Sequence, residues 1–167
     1  MKEVNIIGKG SGWDDAPTSG ECWGITQLIC RRPVTRVSDV NDYSLWGPVE
    51  AMEAEAARGL AKYSGIEYTD LKNYPLDQVI QRFKTDYFNS TVDYAIALAL
   101  YEGYNDIHLW GVNMINNEEY RYQKSGVEFW CGVAKGMGCN IEIHGKLSGI
   151  MKTKDGNLYG YGIKQNA

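Results

Sequence analysis

Ile107-His-Leu-Trp-Gly-Val112 runs into Asn113-Met114, and Glu118-Glu-Tyr120 and Tyr122-Gln123 follow closely. The apolar run predicts a buried strand that stops at a short polar elbow. A helix-like segment then begins with carboxylates, amides and aromatics in its first turns. Strand, elbow and helix in that order make half of a βαβ unit, the building block of a parallel sheet. In open sheets of this kind ligands bind beyond the carboxyl ends of the strands. Asn113, Glu118, Tyr120 and Gln123 are therefore candidate ligand contacts. Amides and a carboxylate can read a base or sugar edge, and a tyrosine can stack on a ring. Glu118 is also a candidate general base. Trp110 and His108, inside the strand, read as core residues.

Working outward, the same alternation recurs along the chain. Glu3–Ile7 reads as a first strand entering the loop Gly8-Lys9-Gly10-Ser11-Gly12. Cys22–Cys30 and Val34–Val40 are further strand regions, and Glu67-Tyr68-Thr69 is a short one. Pro48 suits the first position of a helix that Ser64-Gly65 ends. Val49, Met52, Ala56, Leu60 and Tyr63 recur there at helical spacing and predict its buried stripe. Leu76–Phe83 predicts a short helix. Thr91–Tyr101 predicts another, capped by Asn89 or Ser90. Asn116 or Asn117 is expected to cap a long helix reaching about Met137, followed by a last core strand, Asn140–His144. Gly149–Ile163 reads as a hairpin around Asp155-Gly156. The expected fold is a single α/β domain over 1–167. It has a Rossmann-like, mostly parallel sheet, helices on both faces and a C-terminal β-hairpin at about 149–163.

Strand ends supply the remaining candidates. Glycines at 8 and 10 let backbone approach a phosphate, with Lys9 and Ser11 as side-chain contacts. The spacing is neither that of a P-loop nor that of a dinucleotide fingerprint. Asp39 and Asn41 end a strand, where a carboxylate can accept from ribose hydroxyls; they could equally cap their own turn. Ser90 and Thr91 open a helix whose first amides have no partner within it. Asp39 and His144 join Glu118 as candidate acid–base groups. No Ser/His/Asp set or placed carboxylate pair is visible, so no catalytic residue is assigned.

Composition narrows the classes. The chain has 167 residues and a formal charge of −4, against the basic face of a nucleic-acid binder. Arg31, Arg32 and Arg36 are a local basic cluster. The four cysteines form no CxxC pair and there are two histidines, so neither a metal site nor a disulfide framework is expected, and no cofactor. The thiols read as reduced, in a cytoplasmic protein. No window approaches the ~20 apolar residues of a membrane span.

Two segments resemble a known group. Tyr87-Phe-Asn-Ser-Thr91-Val-Asp-Tyr-Ala-Ile-Ala-Leu-Ala-Leu100 resembles a helix of small bacteriophage proteins. So does Leu109-Trp-Gly-Val-Asn-Met114, with Glu118-Glu-Tyr120 and Tyr122-Gln123, through Val127-Glu-Phe-Trp130. Both are similar to Rossmann-like proteins related to the pterin diphosphokinase (MptE-like) and motility-accessory-factor glycosyltransferase group, whose first strand and glycine-serine loop Ile6-Ile-Gly8 with Gly10-Ser11 also matches. The resemblance implies a nucleotide, nucleotide-sugar or diphosphate ligand. Two positions depart from the group: Asn113 stands where an aspartate is usual, and the strand at Val37-Ser-Asp39 lacks a histidine. Both departures favour binding over turnover.

The resulting expectation is a phage-type protein, in the cytoplasm of an infected host, that sequesters a small nucleotide and so counters nucleotide-based defence signalling. A nucleotide-sugar-dependent glycosyltransferase or a diphosphate transferase is the alternative. A structural or interaction module, using the five tryptophans and twelve tyrosines, is the third reading. Self-association is compatible with any of them.

Overall fold

The structure is a computed structural model that describes residues 1–45, 47–115, 118–146 and 148–165, with the backbone alone at Glu118, Glu119 and Lys154. Six strands form one sheet: β1 (Glu3–Ile7), β2 (Cys22–Ile25), β3 (Arg36–Asp39), β4 (Glu67–Asp70), β5 (Asp106–Trp110) and β6 (Asn140–Ile143). Their order is β4-β3-β2-β1-β5-β6, and every pairing is parallel. The chain winds outward from β1 to β4, then returns to add β5 and β6 on the other side. The strand order therefore reverses between β1 and β5, which makes that junction the topological switch point of a Rossmann-like α/β sheet.

Four helices cover the sheet: α1 (Pro48–Ser64), α2 (Leu76–Phe83), α3 (Thr91–Tyr101) and α4 (Glu118–Gly136). On one face α3 and α4 bury Val4, Ile6, Ile107, Leu109 and Ile141. α3 is apolar almost all round because sheet, α2 and α4 surround it, and its residues from Val92 to Leu100 other than Tyr94 are buried. Phe88 and Phe83 pack on the fully buried Trp130 of α4. Trp130 Nε1 donates to the Tyr87 carbonyl at 2.9 Å, so the indole loses no hydrogen bond on burial.

On the second face α1 covers β3 and β4, but not through the stripe the sequence predicts. Ala54, Ala57 and Ala61 are the buried residues of α1. Val49, Met52 and Tyr63 are 62%, 73% and 91% exposed, and Leu60 is exposed as well. Alanines let the helix seat closely on Ile29, Val34 and Val37. The larger side chains, one helical face away, remain in solvent. The β5–β6 part of this face is polar, with Asp106 buried, His108 and His144 half-buried and Glu142 exposed.

Other boundaries move for local reasons. β2 stops at Ile25 because Thr26 turns to φ 52 and starts a 3-10 turn, Thr26–Cys30. β5 stops at Trp110 because Gly111 has φ 61. The expected cap at Asn116 or Asn117 lies outside the described residues. The C-terminal antiparallel pair is minimal: Leu158 N–H donates to Ile163 O and Gln165 N–H to Gly156 O, around a turn at Tyr159–Tyr161 rather than at Asp155-Gly156. Among the described residues no helix is long and apolar enough to cross a membrane, and all four cysteines are free.

Candidate functional site

At the switch point the loops after β1 and β5 cross in contact. Gly8 N–H donates to Trp110 O and Gly10 N–H to Gly111 O, both at 2.8 Å. A Cβ at either glycine would sit 2.7 Å from the Gly111 oxygen, closer than a carbon can approach. The sequence suggested that these amides bind a phosphate. Instead they are spent on extending the β1–β5 pairing past the strand ends. What the loop offers the solvent side is the Lys9 side chain, whose Nζ donates to Gln27 Oε1 at 3.1 Å.

Above this crossing lies a cleft with two lobes. The larger, about 600 Å³, is walled by residues following β1, β2 and β3, by the start of α1, and by the entry to α3. The smaller, about 380 Å³, lies over Gly8, Gly10 and Gly111 and against the Asn113 elbow. Lys9, Ile25, Val92, Tyr120 and Gln123 line both lobes, so the two are parts of one cleft. Each is within the size range of small-molecule sites.

The structure brings together most of the residues singled out from the sequence. Gly8, Lys9, Gly10, Asn41, Ser90, Thr91, Asn113, Tyr120 and Gln123 all line the cleft. Ser11 does not. Its carbonyl accepts from Asn113 Nδ2 at 3.2 Å and so orients that amide. Glu118 opens α4, but its side chain lies outside the described residues. Ser90 is the N-cap of α3. Its Oγ accepts from Asp93 N–H and donates to Asp93 Oδ1, while Asp93 Oδ2 accepts from Asn89 N–H at 2.7 Å. This reciprocal cap leaves the first-turn amides of Thr91 and Val92 at the cleft wall.

Asp39 and His144 sit elsewhere. Asp39 is 1% exposed. Its carboxylate accepts from Asn41 Nδ2 at 2.6 Å, from Tyr43 Oη at 2.8 Å and from Tyr68 Oη. These three donors tie the buried carboxylate to its own loop and to β4. It positions Asn41 and Tyr43, which do line the cleft. Burial, and then the Asp39 carboxylate, push both tyrosine hydroxyls well above their usual range, so both remain proton donors. His144 stacks on Trp110 at 3.7 Å, away from the cleft lining. Of the basic cluster, Arg31 is exposed and the other two turn inward. Arg32 donates to the carbonyls of Trp13, Ala16 and Pro17, and Arg36 pairs with Glu67 and Glu102. Both are thus engaged by protein partners, and neither lines the cleft.

Sequence reasoning missed Thr26, Gln27, Tyr43, Glu50 and Glu53, all in the wall of the larger lobe. Thr26 and Gln27 follow a strand end and would have been found had β2 been stopped at Ile25. Thr26 is 6% exposed, holds a left-handed backbone, and its Oγ1 is buried with no hydrogen-bond partner among the described residues. Asn113 Oδ1 is orphaned in the same way, and the next residue, Met114, has φ 46. Two strained non-glycine backbones and two orphaned polar atoms thus border one cleft. Strain and unsatisfied groups of this kind concentrate where a ligand completes the structure.

No family model matches the chain, and no curated protein matches it. Two solved structures are similar, both of the sialyltransferase CstII from Campylobacter jejuni. One is described in complex with the substrate analogue CMP-3FNeuAc; it is 14% identical, with a TM-score of 0.44, over 86% of this chain and 80% of that chain. The other is described with cytidine-5'-monophosphate, at 14% identity and a TM-score of 0.44, over 95% of this chain and 88% of that chain. Likeness at this level carries no functional argument.

Proposed function

We propose that the cleft binds a nucleotide-type ligand, a nucleoside mono- or diphosphate or a nucleotide sugar, and holds it without turnover. The observation that carries this reading is Thr26: a buried, unpartnered hydroxyl on a strained backbone in the wall of the larger lobe. Phosphate oxygens would meet Lys9 and the first amides of α3 at Ser90-Thr91. Asn41, Glu50 and Glu53 would take ribose or sugar hydroxyls. Asn113 and Gln123 would read polar edges, and Tyr120, which borders both lobes, would stack on a ring.

Calorimetry against mononucleotides, nucleoside diphosphates, cyclic dinucleotides, ADP-ribose derivatives and sugar nucleotides tests the reading. Micromolar binding by at least one member is expected. Thr26→Val should weaken that binding about tenfold, the worth of one buried hydrogen bond. No binding at micromolar concentration across the panel would refute it, as would an unchanged affinity in Thr26→Val.

A second reading, a nucleotide-sugar-dependent transferase, is favoured by one observation: Glu50 and Glu53, three apart on α1, both line the larger lobe. They are the carboxylates a transfer reaction would use as acid or base. Chromatography of products from labelled sugar nucleotides distinguishes the two readings, since transfer requires a new product and retention returns the ligand intact.

A further inference from the structure

On the polar face of β5 and β6, strand register places three side chains at one point. His108 of β5 lies opposite Glu142 of β6, and His144 is two residues beyond Glu142, so all three project from the same face. His108 Nδ1 lies 2.8 Å from His144 Nε2. A Glu142 oxygen, Oε2, lies 3.9 Å from that Nδ1 and 3.8 Å from that Nε2. We propose that His108, Glu142 and His144 bind a divalent transition metal ion of the zinc type.

The geometry carries the assignment. The circle through three atoms at those separations has a radius of about 2.1 Å, so one point stands at the zinc bond length from two nitrogens and an oxygen together. Tetrahedral placement above the triangle needs ligand separations of about 3.3 Å, between its short and long edges. Side-chain motion of a few tenths of an ångström supplies the difference. Two imidazoles with one carboxylate select zinc-like ions over magnesium or calcium, which favour oxygen donors. A fourth position faces solvent, since Glu142 is half exposed at 53% and both imidazoles are partly so.

The surroundings already orient the donors. Asp106 Oδ1 stands 3.4 Å from the other ring nitrogen of His108, Nε2. Asp106 is itself fixed by Asn140 Nδ2 at 2.7 Å. A carboxylate on the distal nitrogen is the outer-shell device that sets the tautomer of a metal-bound histidine. With a proton on Nε2, the Nδ1 lone pair of His108 points at the triangle. His144 lies flat on Trp110, ring planes 4° apart, and the Trp110 indole N–H is anchored on Asn5 Oδ1 at 2.9 Å. A simple histidine–histidine hydrogen bond explains the 2.8 Å contact. It does not explain a carboxylate equidistant from both nitrogens with a second carboxylate orienting the ring.

The test is zinc titration of the full-length, chelator-treated chain against a chromophoric competitor. One equivalent should bind at micromolar affinity or tighter. His144→Ala should abolish competition. Glu142→Gln, at an exposed position where folding is not at risk, should weaken binding at least tenfold. Cobalt(II) in place of zinc should give visible d–d bands without a thiolate charge-transfer band, and Cys30→Ser should bind zinc as wild type does. Failure of the wild-type chain to bind one equivalent overturns the proposal. So does equal affinity in both His144→Ala and Glu142→Gln, or a thiolate band in the cobalt spectrum. None of these outcomes touches the cleft, whose ligand is tested separately.

Discussion

Asp93 sits in the first turn of α3 with no exposed surface, and its burial has a measurable pH signature. Its carboxylate accepts two hydrogen bonds, from Asn89 N–H and Ser90 Oγ, and both favour the charged form. Burial nevertheless dominates and pushes its pKa from an ordinary 3.8 up to about 6. A carboxyl whose pKa rises on folding binds its proton more tightly in the folded chain. Its contribution to stability is therefore full below about pH 4 and is lost as pH rises through about 6. Two pKa units at about 1.4 kcal/mol each make the loss about 3 kcal/mol. Asp93→Asn keeps the shape and removes the titration. Urea unfolding of both proteins, followed by tryptophan fluorescence at closely spaced pH values, isolates the effect from the other carboxyl groups. The stability difference between variant and wild type should move in the variant's favour by about 3 kcal/mol between pH 3 and 7 and then level off. A difference constant to within about 0.5 kcal/mol across that window would show that the folded chain ionises Asp93 without cost, and the reasoning would fail.

Three further outcomes follow from the geometry. Gly126→Ala would place a methyl group 2.9 Å from Asp93 Cγ, a carboxyl held too firmly to retreat, and should cost about 1–3 kcal/mol in denaturant unfolding. Gly10→Ala would drive a carbon against Gly111 O and Asn113 Nδ2; ligand affinity should fall at least tenfold by calorimetry, more than stability alone accounts for, because the crossing loops floor the smaller lobe. Asp39→Asn should lose stability by about 1–3 kcal/mol through mispaired tyrosine donors yet retain measurable ligand binding, whereas a reacting carboxylate at this position would show loss of turnover with affinity intact.

The fold was legible because its signals are periodic and local. Pro48 and Gly65 bracket α1, Ser90 caps α3, and short apolar runs mark the buried strands of the parallel sheet. Strand-end logic then found most of the cleft wall, since topology alone brings Gly8, Asn41 and Asn113 to one edge. What failed depended on distances that a sequence does not carry. The stripe Val49, Met52, Ala56, Leu60, Tyr63 has helical spacing, but so does Ala54, Ala57, Ala61, and only the closeness of the sheet selects the small set. Asp39 reads from sequence equally as a ligand contact or a cap on its own turn, because Tyr68, 29 residues on, reaches its carboxylate only through the sheet. The histidines looked separate, 36 positions apart, until parallel register set them on one face. Thr26 escaped notice because left-handed backbone at a threonine has no sequence signature.

The central position of β1 also fixes a timetable. Asn5 near the start of the chain must meet the indole of Trp110, a separation of 105 residues. During synthesis, the first strand can acquire β2 early, but its other edge has no partner until β5 has left the ribosome. The switch point, and with it the cleft, thus cannot close before β5 is made. Until then a nascent chain carries an open edge along a strand buried in the folded sheet, and it is in that interval that it is most exposed to mispairing with other chains.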